Sequence, residues 1–274
     1  MALEFFAVGI AARVHGRRAV RALVQGGADV ACQCRIWIYD CASWSLERTL
    51  ALDDCTWSSL AFVAKDVVVA GAVNGSMVAW GAMTAASAAG LDNAPTCVLG
   101  SSSVWSLAGT SSLLASGACA RCGAAPVEAN DVAHGTGRES GVVELWDHAL
   151  GRLLELDAHV GPISDLAFAP DARSLVSAGQ DGTVRVWDVA SGACAFVHVF
   201  NSRRVTAVAV SSAGLLAVAL LQANEIVIVR LGEDAAAVNT VHVDKPLRVR
   251  FDAAHELFFS QEIYPGYPLS NIAV

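Results

Sequence analysis

The stretch from Asp157 to Gly192, DAHVGPISDLAFAPDARSLVSAGQDGTVRVWDVASG, decides how the chain is read. Three short runs in it alternate in character: Ile163 to Phe168, Ser174 to Ala178 and Thr183 to Val189. A period of two turns one face of a strand to a core and the other to solvent. Pro170-Asp171 and Asp181-Gly182 separate the runs, and both pairs favour tight turns. The segment is therefore predicted to be a small antiparallel meander.

The same unit recurs on both sides. Third strands are predicted to end at Tyr39 in RIWIYD, Trp80 in SMVAWG, Trp146 in VVELWD, Trp187, and Val229 in EIVIVR, at intervals of 41, 66, 41 and 42 residues. Repetition of this length marks a propeller or a solenoid, and each unit here reads as strand throughout. The unit resembles the WD40 repeat, with Ala158-His159 in the place of the family's Gly-His, then the Asp181-Gly182 turn and a closing Trp187-Asp188. The resemblance is strong over residues 140–192 and weaker elsewhere. It implies an all-β, WD40-type β-propeller occupying residues 1–274 as one domain, with about six blades visible. The last blade is incomplete or closed by an N-terminal strand at Leu3 to Val8; a seven-blade protein lacking its end is the alternative.

The resemblance also implies a structural tetrad within the blade. His159 before the first strand, Ser177 on the second, Asp181 in the following turn and Trp187 on the third match the family's positions. An indole donor, a hydroxyl, an imidazole and a carboxylate can pass hydrogen bonds along a line, so polar groups packed between sheets stay paired. A hydrolase triad is the competing reading of Ser, His and Asp. It needs an exposed nucleophile elbow and an oxyanion site, and neither is signalled. No catalytic residue is expected.

The remaining units depart from this pattern. The first is read as strands near Val20 to Val24, Asp29 to Cys32 and Arg35 to Tyr39; the second as Ser59 to Val63, Val67 to Gly71 and Met77 to Trp80 around an Asn74-Gly75 turn. The third runs through Ser103 to Trp105 and Leu113 to Ser116, then carries an insertion at 119–138, CARCGAAPVEANDVAHGTGR, before resuming at Ser140. It has no periodicity and reads as a loop between the second and third strands. The fifth uses Val205 to Val210, Leu215 to Ala219 and Glu225 to Val229; the last uses Leu247 to Phe251 and Leu257 to Ser260, with SNIAV opening a third strand.

Composition narrows the function classes. The chain has 274 residues, 54% hydrophobic and 16% charged, which suits a buried core rather than disorder. A net charge of −8 disfavours the broad basic surface of a direct nucleic-acid binder. Eight cysteines in a chain of this size suit a reducing compartment, hence an intracellular location, cytoplasmic or nuclear. The start places Glu4 before its arginines, reversed for a secretory signal, although Arg13, Arg17, Arg18 and Arg21 have a mitochondrial-leader flavour. Val205 to Asn224 is long enough for a membrane span, but Ser211 to Gly214 break it into a hairpin.

Cys119, Cys122 and His134 in the insertion are candidate metal ligands. Zinc sites close with four ligands, and the second pair is missing, so no cofactor is expected. Glu139, Ser164, Gln180, Thr206 and Gln222 match positions that in the family tend to point from the top face, and Arg203 and Arg204 precede a first strand there. These are candidate partner-binding residues. The expected function is a non-enzymatic scaffold that binds a peptide or protein through that face as a subunit of a larger complex, for example in ubiquitin ligation. A metal- or thiol-dependent enzyme using the insertion and a non-catalytic subunit of an RNA-processing or RNA-modification complex are the alternatives.

Overall fold

In the computed structural model the described residues are 8–15, 18–27, 30–40, 43, 45–53, 57–63, 67–72, 75–80, 96–99, 103–119, 140–147, 150–201, 204–231, 238–251, 257–261 and 272–273. Every regular element among them is a β-strand, and the strands form six sheets. The first contains β1 (Val8–His15), β2 (Arg18–Gly27), β3 (Val30–Asp40) and β4 (Leu46–Asp53). The second contains β5 (Trp57–Val63), β6 (Val67–Ala72), β7 (Ser76–Trp80) and β8 (Thr96–Leu99). The third contains β9 (Ser103–Gly109), β10 (Leu113–Cys119), β11 (Ser140–Asp147) and β12 (Arg152–Val160). The fourth is β13 (Ile163–Phe168), β14 (Ser174–Gly179), β15 (Thr183–Asp188) and β16 (Cys194–Val199). The fifth is β17 (Val205–Val210), β18 (Leu215–Leu220), β19 (Glu225–Arg230) and β20 (Asn239–His242). The sixth has three strands, β21 (Pro246–Phe251), β22 (Leu257–Gln261) and β23 (Ile272–Ala273).

Sequence neighbours lie side by side in every sheet, so each is an up-and-down meander. β13, β14 and β15 occupy the three alternating runs of the opening stretch, with Leu175 opposite Trp187 and Ser177 opposite Arg185. β14 is buried along almost its whole length, β15 alternates, and β16 is mostly exposed. Burial on both faces explains why second strands such as VVVAGA and LLAVAL are continuously apolar.

Two differences from the sequence reading have physical causes. Where the alternation predicts strands at 29–32 and 35–39, one long β3 runs through, because the backbone ladder continues across the polar residues, Gln33 facing Gln25 on one side and Asp53 on the other. The sequence units also have three strands, whereas five sheets have a fourth. An outer strand pairs on one edge only and has little apolar alternation to reveal it; β20 is exposed at Asn239, Thr240 and His242.

The described strands fall into two compact units, β1 to β9 in the first and β13 to β23 in the second, with the later strands of the third sheet divided between them. In the first unit, Val67, Val69, Met77, Val104, Leu107 and Leu114 pack into a core with Trp146 and Leu150. In the second, Val176, Ala178, Val184 and Val186 pack with Val205, Val208 and Leu216. A further cluster joins Ala207, Ala209, Ala217 and Ala219 to Ile226, Val249 and Leu257. β17 serves both clusters because consecutive side chains point to opposite faces, and its alanines let the next sheet approach closely. Burying each Val or Leu of these clusters stabilises the fold by about 1.5–3 kcal/mol.

A one-residue register shift recurs near the start of four first strands, at Trp57/Ser59, Ile163/Asp165, Val205/Ala207 and Pro246/Arg248. Such bulges re-aim the side chains beside them. Val205 to Asn224 forms the β17–β18 hairpin and its following turn. No described helix is long and apolar enough to cross a membrane. Val8 belongs to β1, opposite Val24, and residues 3–7 lie outside the described residues. β23 pairs with Phe258 and Phe259 as the third strand of its sheet. Cys119 closes β10 and Ser140 opens β11; 120–139 lie outside the described residues.

Candidate functional site

His159 is the penultimate residue of β12, the outer strand of the third sheet, and its buried imidazole reaches into the fourth. Its Nε2 lies 2.8 Å from Ser177 Oγ, and Trp187 Nε1–H donates to the same oxygen at 2.9 Å. On the other side, Nδ1 lies 3.1 Å from Asp181 Oδ1. One arrangement satisfies all of these: indole N–H to Ser177 oxygen, Ser177 O–H to Nε2, and Nδ1–H to the Asp181 carboxylate. Asp181 also accepts from Val160 N–H at 2.9 Å, Thr183 N–H at 3.0 Å and Thr183 O–H at 2.8 Å. Burial alone would raise the Asp181 pKa. The hydrogen bond and electrostatic attraction of the His159 ring, with the two bonds from Thr183, outweigh it and hold the carboxyl well below its usual range.

Glycine is needed beside this line. A Cβ at Gly179 would overlap the His159 ring and the Asp181 carboxylate. Gly182, two places after the Gln180 corner, has φ +78, which side-chain-bearing residues rarely adopt. With Ser177 fully buried and its hydroxyl engaged on both sides, the Ser, His and Asp here hold sheets together and present no nucleophile to a substrate.

The connections at this end of the fourth and fifth sheets are tied to one another. Gln180 N–H donates to Pro162 O at 3.0 Å, and Phe200 N–H to Gly182 O at 2.9 Å. Leu221 N–H donates to Arg204 O at 3.1 Å, and Arg204 N–H to the Gln222 side-chain oxygen. Val243 N–H reaches Asn224 O at 2.9 Å, and Lys245 N–H reaches Asn224 Oδ1 at 3.0 Å. The segments leading into β13, β17 and β21 are thus pinned to the β14–β15 and β18–β19 turns. Gln180, Arg204, Gln222, Asn224 and Lys245 stand exposed on this series. Backbone groups of Gln180, Arg204, Asn224 and Lys245 are already hydrogen-bonded and Gln222 is held through its side-chain oxygen, so these side chains are offered from preset positions.

The other candidates fall differently. Thr206 O–H donates inward to Pro246 O at 2.8 Å, and Ser164 Oγ is buried without a hydrogen-bond partner among the described residues. Glu139, Arg203, Cys122 and His134 lie outside the described residues, and of Cys119 only the backbone is described. Among the described residues no group of three or more His, Cys, Asp or Glu side chains is placed to hold a metal ion.

The sequence reading overlooks two groups. Ser116 on β10 accepts from Trp146 Nε1–H at 2.9 Å, repeating the Trp187–Ser177 bond one sheet earlier. The second is Asp165 on β13, 1% exposed, one place after the candidate Ser164. Its Oδ1 accepts from Leu166 N–H at 3.0 Å and its Oδ2 from Val208 N–H at 3.2 Å; Arg250 Nη1 lies 3.3 Å from Oδ2. An acidic residue inside the apolar run SDLAF is the signal that marks it.

Comparison with known proteins gives the same frame. Residues 151–188 match the model of the WD domain, G-beta repeat, which spans β12 to β15. Human apoptotic protease-activating factor 1 is 32% identical over 102 residues, 34% of this chain and 8% of that protein. Mouse WD repeat and SOCS box-containing protein 1 is 46% identical over 56 residues, 20% of this chain and 13% of that protein. The chain thus aligns with only a small part of these relatives. A chain in a crystal structure of the mitotic checkpoint complex superposes with a TM-score of 0.65 at 20% identity, over 92% of this chain and 70% of the other. With its meander sheets and the WD domain, G-beta repeat matched at 151–188, the chain has an all-β fold of the propeller class that carries a WD40 repeat.

Proposed function

We propose that the chain is a non-enzymatic interaction platform that binds a protein or peptide through the tied loop series bearing Gln180, Arg204 and Gln222, as a subunit of a larger assembly. The observation that carries this reading is the hydrogen bonding of those loops to one another, which leaves polar side chains exposed on a backbone that is already fixed. Preset loops on a stiff scaffold lose little entropy when a partner docks. Amide and guanidinium groups match the carbonyls and carboxylates of an extended peptide. The likeness to a chain of a solved multi-protein complex supports the assembly role. The acidic balance, −8 overall, favours a protein partner over nucleic acid, and the cysteine usage favours a reducing compartment inside the cell.

The test is capture with tagged protein. Wild type is expected to retain a defined set of proteins, and Gln180→Ala with Arg204→Glu to lose it at an unchanged melting temperature. An unchanged set would refute binding at these loops.

A further inference from the structure

Resting on the platform reading, we propose that Arg248 and Arg250 on β21 form an anion-recognition site that docks a single phosphate or carboxylate side chain of a partner peptide. The two arginines sit two places apart on one strand, with their guanidinium groups turned toward the same carboxylate. Asp165 Oδ2 lies 3.3 Å from Arg250 Nη1, and Oδ1 lies 3.8 Å from Arg248 Nη1. Among the described residues one buried carboxylate faces these two arginines, and the three side chains together carry one positive charge.

The donors are unevenly used. Arg250 Nη1 is near three oxygens: Asp165 Oδ2, Val208 O at 3.3 Å and Val249 O at 2.7 Å. Its Nη2 and Nε make no hydrogen bond among the described residues, and Arg248 makes none at all there. The side chains are 40% and 47% exposed, so the unused N–H groups are open to solvent. An ordinary surface arginine is mobile. Arg250 instead is held by carbonyls of its own strand and of β17 and by a carboxylate of β13, so part of the ordering cost of binding is already met.

A guanidinium fork suits a planar carboxylate or a phosphate face, and two half-exposed arginines two places apart on one strand can share one anionic group. A nucleic acid needs a track of cations, which the net charge of −8 opposes.

The experiment uses the full chain and three fluorescent peptide pools, degenerate except for a central phosphoserine, glutamate or alanine, with a 20-nucleotide single strand as a fourth probe. Wild type is expected to bind the phosphoserine or glutamate pool at least about tenfold more tightly than the alanine pool. Whichever of the two is preferred identifies the source of the anion. Arg248→Gln, chosen because its ion pair is long and half exposed, should abolish the preference at an unchanged melting temperature, and Arg248→Lys should restore part of it. Equal binding of all three pools, or a preference that survives both Arg248→Gln and Arg250→Gln, overturns the anion site while leaving the platform reading intact. Tighter binding of the oligonucleotide than of any peptide overturns the peptide ligand. No binding to any pool overturns the anion site and counts against the platform as well.

Discussion

His159 Nε2 and Ser177 Oγ lie 2.8 Å apart although the residues stand in different sheets, His159 on β12 of the third and Ser177 on β14 of the fourth. The bond therefore joins sheets as well as side chains. Removing Ser177 leaves both the imidazole and the Trp187 indole without their shared partner. Ser177→Ala and His159→Ala are each expected to destabilise by about 1–3 kcal/mol. The double variant should lose clearly less than the sum, since the second change removes a group that the first has already stranded. Denaturant unfolding of the four proteins measures this, and strict additivity would contradict the hydrogen-bonded line.

Gly179 is constrained by the same group. Gly179→Ala pushes a methyl into the His159 ring and the Asp181 carboxylate, and overpacking of this kind costs about 1–3 kcal/mol. In a His159→Ala background the cost should shrink, because much of the obstructing side chain is gone. An equal cost in both backgrounds would mean that backbone conformation, not the imidazole, requires glycine there.

Asp181 gives the second unit a defined acid sensitivity. Its folded pKa lies below the ordinary value of 3.8, so folding favours the ionised form. That contribution is fully present above the unfolded value and is lost as pH falls below about 4 toward the folded value. Melting temperature followed from pH 6 down to pH 3 should fall more steeply for wild type than for Asp181→Asn over the acid part of the range. Parallel curves would show that the carboxylate does not carry the effect.

Asp165 and Arg248 should differ in how much the fold depends on them. Asp165→Ala removes the acceptor of two backbone N–H groups and the partner of Arg250 at a buried position, and is expected to cost about 3–5 kcal/mol. Arg248→Gln, half exposed and 3.8 Å from its partner, should cost at most about 1 kcal/mol. Thermal denaturation checks both, and comparable losses would mean that Arg248 is part of the fold's interior support.

Much of this architecture was legible because its signals are local. β13 begins and ends where the alternation of ISDLAF does, and the Asp181-Gly182 turn is written into its residues. What was not legible depends on neighbours. β16 shows no apolar alternation, since only its backbone ladder to β15 makes it a strand. His159 reads as a residue ahead of a strand, yet it sits inside β12, because the outer strand of one sheet runs on almost to the first strand of the next. Asp165 escapes a reading by repeat positions, since its importance comes from Val208 and Arg250, 43 and 85 residues further along the chain. Ser164 and Thr206 sit at the same strand openings as the exposed loop residues, but the hydroxyl of one is buried and that of the other is engaged inward.

The most direct measurement is capture of partners by tagged full-length protein against a variant carrying Gln180→Ala, Arg204→Glu and Gln222→Ala, followed by identification of what is retained. A platform working through the tied loops predicts a defined set of proteins on wild type and its loss from the triple variant, with both proteins melting at the same temperature. The same set on both would contradict docking at these loops.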